Sequence, residues 1–98
     1  MGIIKVDYGE IGGGGETGYI DMPYNTEISL EIENGTFTVN LNGGQTVGGY
    51  GNIINGVLDT SVSYTNFTYC TINYSNGVLK AKMTYNYGNA MKLIYAKY

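Results

Sequence analysis

Two runs of alternating apolar and polar residues, joined by an Asn-Gly pair, constrain the fold of this chain more than any other feature. From Glu27 to Leu41 every second residue is apolar, apart from the interruption at Asn34-Gly35. A period of two is typical of a strand with one buried face. Asn-Gly favours a two-residue type I′ turn, because both turn positions need a positive φ. The sequence therefore predicts a hairpin that sets Ile32 opposite Phe37 and presents one wholly apolar face.

A second hairpin is predicted around Asn76-Gly77 by the same reasoning. Its two-residue register places Cys70 opposite Met83 and gathers the apolar residues of both strands on one face. The segment 53–58 contains another Asn-Gly pair and predicts a tight third hairpin. Residues 90–98 predict a last strand.

The N-terminal region combines a predicted strand, at residues 3–8, with a glycine-rich segment. Residues 9–18 contain too much glycine to hold regular structure alone. They predict a flexible loop or arm that includes Gly12, Gly13, Gly14 and Gly15. Pro23 limits residues 19–24 to a short edge strand or an extended connection, because proline cannot donate to a sheet ladder.

The chain contains no pattern that predicts a helix. No window shows a 3.6-residue period with caps, and no strand–helix–strand spacing suggests a parallel sheet. At 98 residues the chain has the size of one domain. The sequence therefore predicts a single all-β domain over residues 1–98. This domain is a small antiparallel β-sandwich or barrel built from hairpins, with a glycine-rich N-terminal loop or arm.

Residue types exclude the common kinds of catalytic and metal site. There is no histidine and only one cysteine, Cys70, so zinc sites and Cys/His or Ser/His/Asp chemistry are excluded in their usual forms. The stretch from Gly13 to Gly18 matches a dinucleotide-binding G-x-G-x-x-G, but Tyr19 to Pro23 follows where that motif needs a helix. The sequence predicts no enzyme, no metal and no cofactor.

Net charge and aromatic content indicate which partners to expect. The chain carries a net charge of −3, five lysines and no arginine, so it is poorly suited to binding nucleic acid. No apolar run approaches the roughly 20 residues of a membrane span, and the start lacks a signal-peptide pattern. We therefore expect no nucleic-acid or membrane partner. Eleven tyrosines and no tryptophan favour half-buried rings in sheets and at contacts.

Charge is divided unevenly along the chain. Residues 1–59 carry a net charge of −7, whereas residues 60–98 carry +4. Acidic and basic residues pair either within one chain or between copies, and the second case would be a heterologous contact that builds rings or stacks. The candidate residues for subunit contact are Glu31, Glu33, Lys80, Lys82, Tyr85, Tyr87 and Tyr95.

The first residues, Ile3-Ile4-Lys5-Val6-Asp7-Tyr8-Gly9-Glu10-Ile11 and the glycines that follow, carry a resemblance to a known group of proteins. They resemble the start of small uncharacterised proteins encoded among the structural genes of phages and prophages of Gram-positive bacteria. The resemblance implies a virion component in the tail, tail tip or capsid surface. It names no binding residue.

These observations lead to one expected function and one alternative. The expected function is a non-enzymatic structural or assembly protein that contacts itself or other structural proteins, located in the virion if it is phage-derived and otherwise in the cytoplasm. The alternative is a carbohydrate- or receptor-binding β module. In that module exposed tyrosines would stack on sugar rings, and Asn, Asp and Thr side chains would hydrogen-bond the hydroxyls of a glycan.

Overall fold

The computed structural model describes residues 15–41, 46–85 and 91–98. These residues form nine strands and one short 3-10 helix at Thr60–Val62. The strands are β1 (Glu16–Met22), β2 (Glu27–Glu31), β3 (Gly35–Leu41), β4 (Thr46–Ile54), β5 (Val57–Leu58), β6 (Tyr64–Thr65), β7 (Cys70–Ser75), β8 (Val78–Met83) and β9 (Met91–Lys97). No helix in the described part of the chain is long and apolar enough to cross a membrane.

The strands form two antiparallel sheets. The large sheet has the order β1-β9-β3-β4-β5, with β6 also paired to β4, and the small sheet has the order β2-β8-β7. This confirms the predicted all-β class and is consistent with a small sandwich. Strand β9, the last in sequence, lies between β1 and β3, so both ends of the described chain meet in the large sheet.

Apolar side chains from both sheets form one core between them. Val39 and Leu93 from the large sheet and Cys70 and Leu79 from the small sheet are completely buried, and none of the described polar or charged residues is buried. Along β3 and β8 the buried positions alternate with more exposed ones, as expected when one sheet face meets the core and the other meets solvent. The alternation of apolar and polar residues in the sequence thus matches the alternation of buried and exposed side chains along these strands.

Glycines on the inner face of β4 leave room for the buried side chains of the neighbouring strand β3. A Cβ atom at Gly48 would lie 2.5 Å from Cγ1 of Val39, and one at Gly51 would lie 2.7 Å from two ring atoms of Phe37. Because cores are packed at crystal-like density, these positions have no room for a side chain. The glycine-rich sequence of β4 is therefore a packing requirement of the core.

Two of the predicted hairpins are confirmed. Strands β7 and β8 pair around Asn76-Gly77 with Cys70 opposite Met83, as the sequence predicts. Asn76 and Gly77 have φ of 54° and 80°, which are the values a type I′ turn requires. Strands β4 and β5 form the tight third hairpin around Asn55-Gly56, whose φ values are 51° and 76°.

The predicted hairpin around Asn34-Gly35 is wrong. Strand β2 pairs with β8 in the small sheet, whereas β3 pairs with β4 and β9 in the large sheet. Asn34 is not among the residues with positive φ, and Gly35 has a φ of 158°, so the type I′ turn is absent. The segment between these strands is an arch that carries the chain from one sheet to the other.

Periodicity could not separate the two arrangements, because an arch and a hairpin bury the same residues. In a hairpin Ile32 and Phe37 would be neighbours on one sheet, whereas in the arch both residues point into the core from opposite sheets. The polar backbone groups of the arch find partners elsewhere. Ile32 N donates to Gly77 O at 2.9 Å, and Gly56 N donates to Glu33 O at 2.9 Å. These bonds replace those that a hairpin would supply.

Of the predictions for the N-terminal region, only those from residue 15 onward fall on described residues. Residues 3–8, Gly12, Gly13 and Gly14 lie outside the described residues. Gly15 is exposed and immediately precedes β1. The predicted flexible arm extends too far, because residues 16–18 belong to β1 and pair with residues 95–97 of β9. The remainder of β1 confirms the predicted edge strand, which ends at Met22 just before Pro23.

Cysteine cross-linking distinguishes the arch from the hairpin. Ser29 lies opposite Lys80 in the small sheet, whereas the hairpin register would place it opposite Asn40. Paired residues of antiparallel strands have Cα atoms about 4.5–5.5 Å apart, within disulfide range. We expect S29C/K80C to form an intramolecular disulfide under mild oxidation and S29C/N40C to remain reduced, as read by peptide mass. Cross-linking of the second pair alone would contradict the arch.

The Cys70 thiol provides a test of the closed core. Burial raises the pKa of this thiol to about 11, and a backbone hydrogen bond from Lys82 acts in the opposite direction. In an unfolded chain a cysteine has a pKa of about 8.5. The stability gained from the neutral thiol is therefore complete below about pH 8.5 and is lost as the pH rises through about 11. At pH 8 we expect an aromatic disulfide reagent to label Cys70 rapidly in urea and very slowly in the native protein; equal rates would contradict a closed core.

Candidate binding face on the large sheet

The outer face of the large sheet carries a continuous line of side chains that crosses five strands. In this line Tyr19 of β1 lies opposite Ile94 of β9, and Ile94 lies opposite Thr38 of β3. Thr38 in turn lies opposite Tyr50 of β4, which lies opposite Tyr64 of β6. We call these five residues the tyrosine row. The row runs perpendicular to the strands, because strand pairing places one residue from each strand beside the next.

The large side chains of the tyrosine row are held at the surface. Tyr19 is 59% exposed, Tyr64 52%, Tyr50 46% and Ile94 40%. Their neighbours in sequence point the other way, into the core: Phe37 and Leu93 are buried. The sheet therefore supports the exposed rings on a rigid layer.

Two shorter rows flank the tyrosine row on the same face. One consists of Thr17, Ala96, Thr36 and Asn52, paired in that order across β1, β9, β3 and β4. The other consists of Asp21, Lys92, Asn40 and Thr46. The first row carries the hydroxyls of Thr17 and Thr36 and the amide of Asn52, and the second carries the amide of Asn40 and the hydroxyl of Thr46. The apolar line is thus bordered by groups that can donate and accept hydrogen bonds.

The rings at both ends of the row are fixed by contacts of their own. The Lys92 Nζ atom lies 4.6 Å from the centre of the Tyr19 ring, a cation–π contact. The Tyr50 and Tyr64 rings have centroids 6.0 Å apart and planes inclined by 37°, a favourable tilted arrangement. Holding the rings in place lowers the entropy that a ligand would have to remove on binding.

A shallow trough lies at the Tyr19 end of the row. Its volume is about 500 Å³, and Thr17, Tyr19, Thr36, Thr38, Ile94 and Ala96 contribute to its lining. Asp21 and Lys92 are the only charged residues in the three rows, and they lie opposite each other across β1 and β9. The face is therefore close to neutral, with aromatic and hydroxyl groups as its main chemistry.

Glu31, Lys80 and Lys82 lie together on the outer face of the small sheet, far from the tyrosine row. Lys82 lies opposite Glu27 and Lys80 opposite Ser29, while Glu31 lies opposite Val78. An acidic stripe on β2 therefore runs beside a basic stripe on β8 within one chain. The structure brings these predicted residues together on one face, which we call the charged face.

The other predicted contact residues are dispersed. Glu33 lies in the arch, and Tyr87 lies outside the described residues. The Tyr85 ring packs edge-on against Tyr69, with centroids 5.6 Å apart. Tyr95 lies on the inner side of β9, half-buried, and its hydroxyl donates to a Glu16 carboxylate oxygen at 3.3 Å. Burial and the neighbouring Glu16 carboxylate raise the pKa of the Tyr95 hydroxyl.

Sequence reasoning missed the tyrosine row because its members are far apart in the chain. Tyr19, Tyr50 and Tyr64 occupy three separate segments, and only the order of strands β1, β9, β3, β4 and β6 brings them into line. A usable local signal existed, since Tyr19 and Tyr50 occupy strand positions that alternate with apolar or glycine residues. Without the strand order, that signal could not be turned into a surface.

The described residues contain no group of three or more His, Cys, Asp or Glu side chains placed to hold a metal ion. No family model matches the chain, and neither the curated proteins nor the solved structures that were compared with it contain a match. The chemistry of its own surface is therefore the basis for proposing a function.

Proposed function

We propose that this protein is a non-enzymatic carbohydrate-binding module that recognises its ligand with the tyrosine row. The observation that carries the proposal is the continuous line of Tyr19, Ile94, Thr38, Tyr50 and Tyr64 across the outer face of the large sheet. This surface presents exposed aromatic rings and hydroxyl groups with almost no net charge. Both features match a sugar ring, whose faces are apolar and whose edges carry hydroxyls.

The shape of the surface favours a sugar over a protein partner. Protein interfaces bury a compact apolar patch surrounded by a polar rim. Here the apolar surface is a line one residue wide, with Thr36 and Asn52 on one side and Lys92 and Asn40 on the other. Stacking along the line and hydrogen bonding on both sides is the pattern that suits an amphipathic ring.

The balance of charge across the three rows narrows the class of glycan that this face can bind. Acidic sugars need cationic side chains in excess of anionic ones, whereas Lys92 is the one lysine in the three rows and lies opposite Asp21. The Lys92 ammonium group is also engaged with the Tyr19 ring. We therefore assign a neutral glycan to this face.

Replacing a ring of the row tests the proposal. We expect wild-type protein to bind neutral oligosaccharides on a glycan array, and Tyr50→Ala to weaken that binding about tenfold, or about 1.4 kcal/mol. The matched control is Tyr24→Ala. Tyr24 is 50% exposed, close to the 46% of Tyr50, but lies between β1 and β2, outside the three rows.

Thermal unfolding of each variant would confirm that it is folded before binding is compared. Equal loss of binding in Tyr24→Ala and Tyr50→Ala would contradict the assignment of the tyrosine row. Absence of binding to every neutral glycan on the array would contradict the carbohydrate-binding function.

A second candidate function is assembly with other copies in a phage particle, which the charged face favours. The resemblance of the N-terminal residues to phage proteins supports the virion location. The acidic stripe on β2 and the basic stripe on β8 would supply the contact surface. Because both stripes share one face, two copies related by a two-fold axis would place each acidic stripe against a basic one. That contact is isologous, unlike the head-to-tail contact expected from the division of charge along the sequence.

Molecular mass in solution tests the assembly candidate. We expect an assembling protein to show a mass above that of the 10.6 kDa chain at low salt. Raising the salt concentration should lower that mass, since ionic contacts are screened over about 10 Å at 0.1 M salt. The charge-reversal variant Lys80→Glu should be monomeric under both conditions. A monomer at low and high salt in the wild type would contradict assembly through the charged face.

A further inference from the structure

We infer that the ligand of the tyrosine row is a linear polysaccharide that lies along the row. Successive sugars lie over neighbouring strands of the sheet, in the order β1, β9, β3, β4 and β6. This inference rests on the proposed carbohydrate-binding function and specifies its ligand. The row is too long for a single sugar: its five residues span four strand spacings, about 19 Å at about 4.8 Å each.

The repeat of the row matches the repeat of a sugar chain. An extended chain of pyranose rings advances about 5 Å per ring, nearly the strand spacing of about 4.8 Å. The separation of 6.0 Å between the Tyr50 and Tyr64 centroids is comparable to one such step. A chain laid across the strands therefore keeps its rings in register with the row.

This register assigns a position to each aromatic residue. If the first sugar stacks on Tyr19, the second and third lie over Ile94 and Thr38, the fourth over Tyr50 and the fifth over Tyr64. Hydroxyl groups at the ring edges then face the flanking rows, where Thr36 and Asn52 lie beside the third and fourth sugars. Aromatic stacking is concentrated at the two ends of a five-sugar site.

The twist of the sheet favours a single polysaccharide chain in solution over the flat surface of a crystalline polysaccharide. Adjacent strands are rotated by about 20–25°, so the rings of Tyr19 and Tyr64 are turned relative to each other. A single chain in solution can twist to follow them, whereas a flat crystalline surface cannot contact all three tyrosines at once. We therefore infer a preference for soluble chains.

A length series of oligosaccharides tests this mode of binding. The probes are cello-oligosaccharides and chito-oligosaccharides of one to six sugars, both linear and neutral, measured by isothermal titration. We expect affinity to rise about tenfold or more between the disaccharide and the pentasaccharide, as the ligand comes to span Tyr19 and the Tyr50–Tyr64 pair. The hexasaccharide should bind no more tightly than the pentasaccharide.

Removing the ring of Tyr19, which lies at the opposite end of the row from the Tyr50–Tyr64 pair, tests whether the long ligand spans both ends. Tyr19→Ala should bind the pentasaccharide only as tightly as wild type binds the disaccharide, and should leave disaccharide binding unchanged. Tyr24→Ala should reproduce the wild-type series. A variant that has lost its fold would instead lose disaccharide binding as well.

The outcomes separate this inference from the function on which it rests. Binding of a monosaccharide as tightly as the pentasaccharide, or an unchanged series in Tyr19→Ala, would overturn the linear mode and leave a carbohydrate-binding module. Absence of binding to these probes and to every neutral glycan on the array would overturn both. Binding confined to crystalline cellulose or chitin would overturn the preference for soluble chains.

Discussion

Close packing of the two sheets is the constraint on which the rest of the structure depends. Glycines at positions 48 and 51 of β4 leave room in this core for Val39 and Phe37 of the neighbouring strand β3, and a Cβ atom at Gly48 would also lie 3.2 Å from Cβ of Cys70 in the small sheet. The packing of one sheet against the other turns one face of each sheet towards the core and leaves the other face available to solvent. The tyrosine row is the outer counterpart of that core, since Phe37 and Leu93 point inward next to Thr38 and Ile94, which point outward.

The sequence allowed local features to be predicted and left non-local ones undetermined. The turn at Asn76-Gly77 joins strands that pair directly, so its residues and the alternation around it contain all the necessary information. Asn34-Gly35 has the same local pattern, but its strands find better partners in β8, β4 and β9. Which sheet a strand joins is decided by packing of the whole chain, and the short-range pattern is identical in both cases.

The candidate site likewise combines features that composition predicts with features that depend on the order of the strands. The residue types alone were sufficient to expect exposed tyrosines and to exclude histidine-dependent and zinc chemistry in their usual forms, because those inferences need only composition. The tyrosines predicted for subunit contact, Tyr85, Tyr87 and Tyr95, all come from the last third of the chain. The row instead draws its tyrosines from β1, β4 and β6. Glu31, Lys80 and Lys82 do meet on one face, since β2 and β8 are neighbours in the small sheet.

The position of β1 and β6 in the sheet has a consequence for folding. Tyr19 belongs to an edge strand and Tyr64 to a strand of two residues, whereas Thr38 lies on the central strand β3. Edge strands open more readily than central ones, so the ends of the row are the parts most exposed to local unfolding. A ligand that touches both ends would bind only the closed sheet, and would therefore slow hydrogen exchange of the β1 and β6 amides without contacting the core.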